Sequence, residues 1–172
     1  MIAGRARKAP GHLGCLNIKY KEGRDVNTPI NQLLMQKGRD IITIAPTATV
    51  FEAIQLMDSK NIGSLLVLNA HGKIAGIFCE RDCFRKVLLA GKSPHDAQVK
   101  NVMTKKVVYA TPETTVDECM AVMTQKRIRH MPVLDAHEKI LGIISIGDLV
   151  KFVASEQDAM IRNLEKYIEG SL

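Results

Sequence analysis

The feature that most constrains this chain is that it repeats itself. Shifted by 66 residues, PTATVFEAIQLMDSKNIGSLLVLNAHGKIAGIFCERD (46–82) lies over PETTVDECMAVMTQKRIRHMPVLDAHEKILGIISIGD (112–148) without a gap. Pro46 falls on Pro112, Val50 on Val116, Met57 on Met123, Ile62 on Ile128, Gly76 on Gly142 and Asp82 on Asp148. A fixed internal period means one structural unit used twice.

Each copy reads β–α–β–β–α. A short β run ends at Pro46 or Pro112, and Thr49 or Thr115 then caps a helix. Val50, Ala53, Ile54 and Met57, and their counterparts Val116, Cys119, Met120 and Met123, fall at i, i+3, i+4 and i+7, which predicts one buried stripe per helix. SLLVL and IAGIF, like HMPVL and ILGIIS, are apolar runs too short for helices; polar turns join them into hairpins. A second helix is predicted to start at Asp82 or Asp148, with the aspartate as its cap. One such unit has three strands and two helices and cannot bury both sheet faces alone; two packed through their sheets can.

The predicted fold class is therefore α/β (α+β), tandem β-α-β-β-α repeats with a long C-terminal helix. In that helix Leu149, Val153, Met160, Ile161, Leu164, Tyr167 and Ile168 keep helical spacing as far as Gly170. The segments are a basic, flexible stretch over 1–29, a first repeat over 30–90, a second over 96–153 and a helical extension over 154–172. An amphipathic extension of this kind packs on its own module or on a second subunit, and a homodimer is the expectation.

The net charge of +6 is uneven. Arg5, Arg7, Lys8, Lys19 and Lys21 all precede the first acidic residue, Glu22. The basic character thus belongs to a tail rather than to a nucleic-acid-binding face. The tail is acid-free, as a mitochondrial presequence requires, but Gly4, Pro10, Gly11 and Gly14 break an amphipathic helix. A cytoplasmic protein is expected, with the mitochondrial matrix as the alternative if the tail is a presequence. No run of about 18 apolar residues is present, so no membrane span is expected. Cys15, Cys79, Cys83 and Cys119 show no CxxC spacing and read as reduced thiols.

The doublet, together with the phrases GIFCERD and GIISIGD, resembles the CBS-domain family over residues 30–153. RIRHMPVLD followed by GIISIGDLV is similar to the freestanding CBS-pair proteins of bacteria and plant organelles, as is the tail NLEKYIEG. The resemblance implies an adenosine-containing ligand (AMP, ADP, ATP, S-adenosylmethionine or NAD(H)) in the cleft between repeats. It also implies a sensor role toward a protein partner that the sequence does not name.

Ser145 and Asp148 match the family's ribose-holding Ser/Thr and Asp. A carboxylate can accept from both ribose hydroxyls, and such charge-assisted bonds are the stronger class. The alternative is that Asp148 only caps the last helix. The first repeat keeps Asp82 but has Cys79 in place of Ser/Thr, which predicts a weaker, different or empty site; redox sensing by Cys79 is a lesser alternative. Arg129 and His130 stand where the family places basic residues, so the resemblance implies phosphate binding there. The alternative is a solvated pair at a strand start. The first repeat has Gly63 and Ser64 at those positions, and Arg81 is a secondary phosphate candidate. Ile77, Ile143, Ile128, Met131 and Pro132 are candidate adenine walls and serve equally well as core. His71 and His137 recur in a turn and read as inherited turn sequence.

No P-loop, no GxGxxG after a strand, no metal-ligand set and no nucleophile–base pair is present, so the chain is not expected to be an enzyme. The alternatives are an interaction module with vestigial clefts and, less favoured, a nucleotide-acting enzyme.

Overall fold

The structure, a computed structural model, describes residues 13–15, 28–38 and 41–169. Apart from 13–15 and 28–29, the N-terminal segment predicted over 1–29 lies outside the described residues, as does the predicted stop at Gly170.

In chain order the elements are strand β1 (Leu13–Cys15), helix α1 (Ile30–Lys37), β2 (Thr43–Ile44), α2 (Val50–Ser59), β3 (Ser64–Leu68), β4 (Ile74–Cys79) and α3 (Glu80–Cys83). The last runs into a π-helical turn, Phe84–Leu88. Then come α4 (Val99–Val102), β5 (Val107–Tyr109), α5 (Val116–Lys126), β6 (His130–Leu134), β7 (Ile140–Ser145) and α6 (Ile146–Glu169). The β-α-β-β-α order expected of each repeat is present.

The described residues form two compact units: one holds 13–15 and 41–109, the other 28–38 and 110–169. The compact units and the sequence repeats are thus different divisions of the chain. The stretch before each repeat's first strand folds onto the hairpin of the other repeat.

In the first unit β2, β3 and β4 form a sheet, parallel then antiparallel, and β1 pairs with β5. Val50, Ala53 and Met57 of α2 pack with Leu65, Val67 and Phe78 of the hairpin. The chain then supplies α4. Val99 N–H donates to the Ala48 carbonyl (2.9 Å), Lys100 N–H to Pro46 (2.9 Å), and Val50 N–H to Ala97 (2.8 Å).

The second unit makes the same bonds with α1. Ile30 N–H donates to Thr114 (2.8 Å), Asn31 N–H to Pro112 (3.1 Å), and Val116 N–H to Thr28 (3.0 Å). Its hairpin β6–β7 takes Ala110 as a parallel neighbour of Val133, as Ile44 neighbours Val67.

Local chemistry sets the helix starts. Thr49 and Thr115 each form a reciprocal capping box with Glu52 and Glu118, satisfying two orphan amides at once. The predicted stripe is present in both helices: Val50, Ala53 and Met57 are buried, as are Val116, Cys119 and Met123. Ile54 and Met120 are half-buried, and Val122 joins the second stripe.

The second helices start differently from the expectation. They begin at Glu80 and Ile146, and the aspartates sit at the third helical position rather than at the cap. The physical reason is that Ser-x-x-Asp is itself a capping box. Asp148 N–H donates to Ser145 Oγ (3.1 Å), and Ser145 N–H donates back to Asp148 Oδ2 (2.7 Å).

Candidate functional site

In the second unit the last strand turns into α6 at Ser145. Three donors converge there on one oxygen, Asp148 Oδ2: the Ser145 amide (2.7 Å), the Ser145 hydroxyl (2.7 Å) and the Lys37 ammonium (2.5 Å). Lys37 closes the last turn of α1 and also donates to the Ile143 carbonyl at 3.0 Å. Burial alone would push the Asp148 carboxyl up. The bonds from Lys37 and Ser145 and the Lys37 charge outweigh it and hold the group below the ordinary carboxylate range. The Asp148 side chain keeps 24% of its exposure and Lys37 keeps 40%, so the corner is open to water.

The first unit builds the same corner and closes it. Asp82 Oδ2 accepts from the Cys79 amide (3.2 Å) and thiol (3.0 Å). Its Oδ1 accepts from Thr104 Oγ1 (3.3 Å) and Lys86 Nζ (2.6 Å), leaving the side chain 9% exposed. Thr104 also bridges Ile77 through its backbone, N–H to carbonyl in both directions (2.8 and 3.0 Å). Burial first, then the hydrogen bond and charge of Asp82, push the Cys79 thiol up to about 11. Reactivity belongs to the thiolate, so the raised thiol speaks against redox sensing by Cys79 at neutral pH.

The structure brings several predicted residues together. His130 is the register partner of Ser145, which places both on one face of the hairpin. The Arg129 carbonyl accepts the first amide of α6, from Ile146, at 2.9 Å. Ser64 is the register partner of Cys79 and is buried. Arg81 is exposed at the start of α3. Of the adenine-wall candidates, Ile77, Ile143 and Ile128 are half-exposed, whereas Met131 and Pro132 are buried in the second unit. His71 and His137 sit in hairpin turns, where Asn69 and Asp135 side chains accept their amides.

Sequence reasoning missed Lys37, Thr104 and Lys86. A signal was present: the spacing of Ile30, Leu33 and Leu34 recurs at Val99, Val102 and Met103, offset by 69 rather than 66 residues.

The first unit also carries a groove of about 610 Å³ lined by Ile54, Met57, Ile62, Glu80, Phe84 and Leu88, among others. Phe84 is 57% exposed there. Among the described residues no cluster of three or more His, Cys, Asp or Glu is placed to hold a metal, and no helix is long and apolar enough to cross a membrane.

A family model, CBS domain, matches residues 30–89 and 99–155. The chain is 34% identical over 160 residues to the mitochondrial CBS domain-containing protein CBSX3 of Arabidopsis thaliana, covering 88% of this chain and 77% of that protein. It is 33% identical over 113 residues to inosine-5'-monophosphate dehydrogenase of Methanocaldococcus jannaschii, covering 66% of this chain but only 22% of the enzyme. Among solved structures, a Burkholderia ambifaria CBS-domain protein assigned to signal transduction superposes with a TM-score of 0.72 at 47% identity, covering 76% of this chain and 96% of that one. Two capping-box corners on two hairpins, and two matched stretches that account for both, show that this chain belongs to the CBS-domain family.

Proposed function

We propose that this chain is a regulatory module that binds an adenosine-containing ligand, AMP, ADP, ATP or NAD(H), at the Ser145–Asp148 corner and relays occupancy to a protein partner. CBS-domain proteins are regulatory and signal-transduction modules. The observation that carries the ligand reading is Asp148 itself, an ionised and water-accessible carboxylate at a strand-to-helix turn. Vicinal hydroxyls are its natural partners. His130, on the same hairpin face as Ser145, and neighbouring Arg129 supply donors for phosphate. Ile143 and Ile128 offer half-exposed apolar area beside them.

The chain acts in this reading without turnover. Its match to the dehydrogenase leaves most of that enzyme without a counterpart. Titration calorimetry with AMP, ATP, NADH and S-adenosylmethionine tests the proposal. At least one is expected to bind at millimolar concentration or below; failure of all four sinks the ligand reading, and product formation from any sinks the non-enzymatic one. Arg129→Ala is expected to weaken AMP far more than adenosine, and an equal effect removes Arg129 from the phosphate.

The same reading includes a homodimer through α6. Val150, Val153, Gln157, Met160, Leu164 and Tyr167 follow alternating steps of three and four, the spacing of a helix-pairing seam. Met160, Ile161, Tyr167 and Ile168 are each more than half exposed. Most helical stability comes from packing an amphipathic face, and a second copy brings a matching seam. Sedimentation of the full chain and of a chain ending at residue 155 tests this; equal subunit numbers in the two sink it.

A further inference from the structure

Lys37 touches two acceptors in the second unit, the Asp148 carboxylate and the Ile143 carbonyl. The corresponding pair in the first unit, Asp82 and the Ile77 carbonyl, is satisfied by Thr104, through its hydroxyl and its backbone amide. Lys37 therefore does with one side chain what Thr104 does with its hydroxyl and its main chain together. The cause lies in the incoming segments. α4 stops after four residues and leaves Thr104 to pair with β4, whereas α1 runs for eight and sends the Lys37 side chain to β7. A backbone bridge holds its place with the fold. A half-exposed ammonium on four methylenes can swing away.

We propose that Lys37 is a built-in competitor for the ligand: its ammonium occupies Asp148 Oδ2, an acceptor that a vicinal diol would take, and a nucleoside enters the second unit only by displacing it. This rests on the reading of Ser145–Asp148 as the ribose site. Two features support it. One ammonium holds both the Asp148 carboxylate and the Ile143 carbonyl, at 2.5 and 3.0 Å, so it sits directly on the oxygen that the ligand needs. And although Lys86 pairs with Asp82 in the first unit, Thr104 and Cys79 hold the same carboxylate and leave it 9% exposed, so displacing one lysine would not open it.

Competition by an ion pair has a distinct signature with a neutral ligand. Salt screens an exposed pair, so adenosine, which carries no charge, is expected to bind the full chain more tightly as ionic strength rises. Lys37→Met keeps the apolar stem and removes the charge. It is expected to bind adenosine about two- to fivefold more tightly at low salt, the range of an exposed ion pair, with the salt dependence gone. Lys37→Arg is expected to keep the salt dependence. Thermal melting of each variant, followed alongside, shows that it is folded. If Lys37→Met binds adenosine as the parent does, or more weakly, at every ionic strength, the competitor role is overturned while the ribose site stands. If neither protein binds adenosine at any salt concentration, the ribose reading falls and the competitor with it.

Discussion

The two units share a scaffold and differ at one corner. Each has a hairpin that turns into a helix at a Ser/Cys-x-x-Asp box, and each receives a short helix whose first turn makes the same backbone bonds. In the first unit Asp82 is nearly enclosed by Cys79, Thr104 and Lys86; in the second Asp148 keeps a quarter of its exposure and, among the described residues, its one distant partner is a lysine side chain. Duplication preserved the parts of the motif that close a helix, and the segment packed beside it decides whether the carboxylate stays available.

The largest expected effect is on ligand binding. Asp148→Ala removes charge-assisted bonds of about 1.5–3 kcal/mol and is expected to weaken nucleotide binding at least tenfold in a calorimetric titration. Asp82→Ala is expected to cost much less there while lowering the melting temperature, because its partners lose a buried acceptor. Equal binding losses would break the asymmetry between the corners.

The receiving hairpins can be compared by closing the space over their glycines. A Cβ at Gly76 would lie 2.7 Å from Met103 Sδ and 2.9 Å from the Thr104 carbonyl. One at Gly142 would lie 2.8 Å from Leu34 Cδ2, the tip of a side chain that can turn aside. Overpacking against backbone costs about 1–3 kcal/mol. In denaturant unfolding Gly76→Ala should fall in that range and Gly142→Ala below it. The reverse order would show that the Thr104 bridge yields more easily than α1.

The smallest effects are in pH, where the corners differ in sign. The Asp148 carboxyl is held below its unfolded value, so its contribution is complete above the ordinary aspartate range and is lost as pH falls through the lower folded value. Asp148→Asn should flatten the acid limb of a melting-temperature profile. The Cys79 thiol is raised from 9.0 to about 11, so stability is full below pH 9 and declines as pH rises toward 11. Cys79→Ser should soften that alkaline decline; a profile unchanged from the parent would mean that ionisation of the buried thiol carries no weight.

Much of this was legible in the chain because it depends on near neighbours. The capping boxes at Thr49 and Thr115 need only a Glu three residues on, the hairpins need short apolar runs around a polar turn, and the buried stripes need a 3.6-residue period. The Ser145–Asp148 pair was also visible, although its capping geometry places the helix start three residues earlier than an aspartate cap would.

The exchange of α1 and α4 between hairpins and the hold of Lys37 on Asp148 were not legible. Those residues lie 111 apart, and no local rule links a lysine at the end of one helix to a carboxylate in the first turn of another. Repetition settled what each copy builds. Which segment covers which hairpin, and hence which of two nearly identical carboxylates stays open to a ligand, depended on where the chain returned, because hydrogen bonding and burial act between neighbours in space regardless of their distance in sequence.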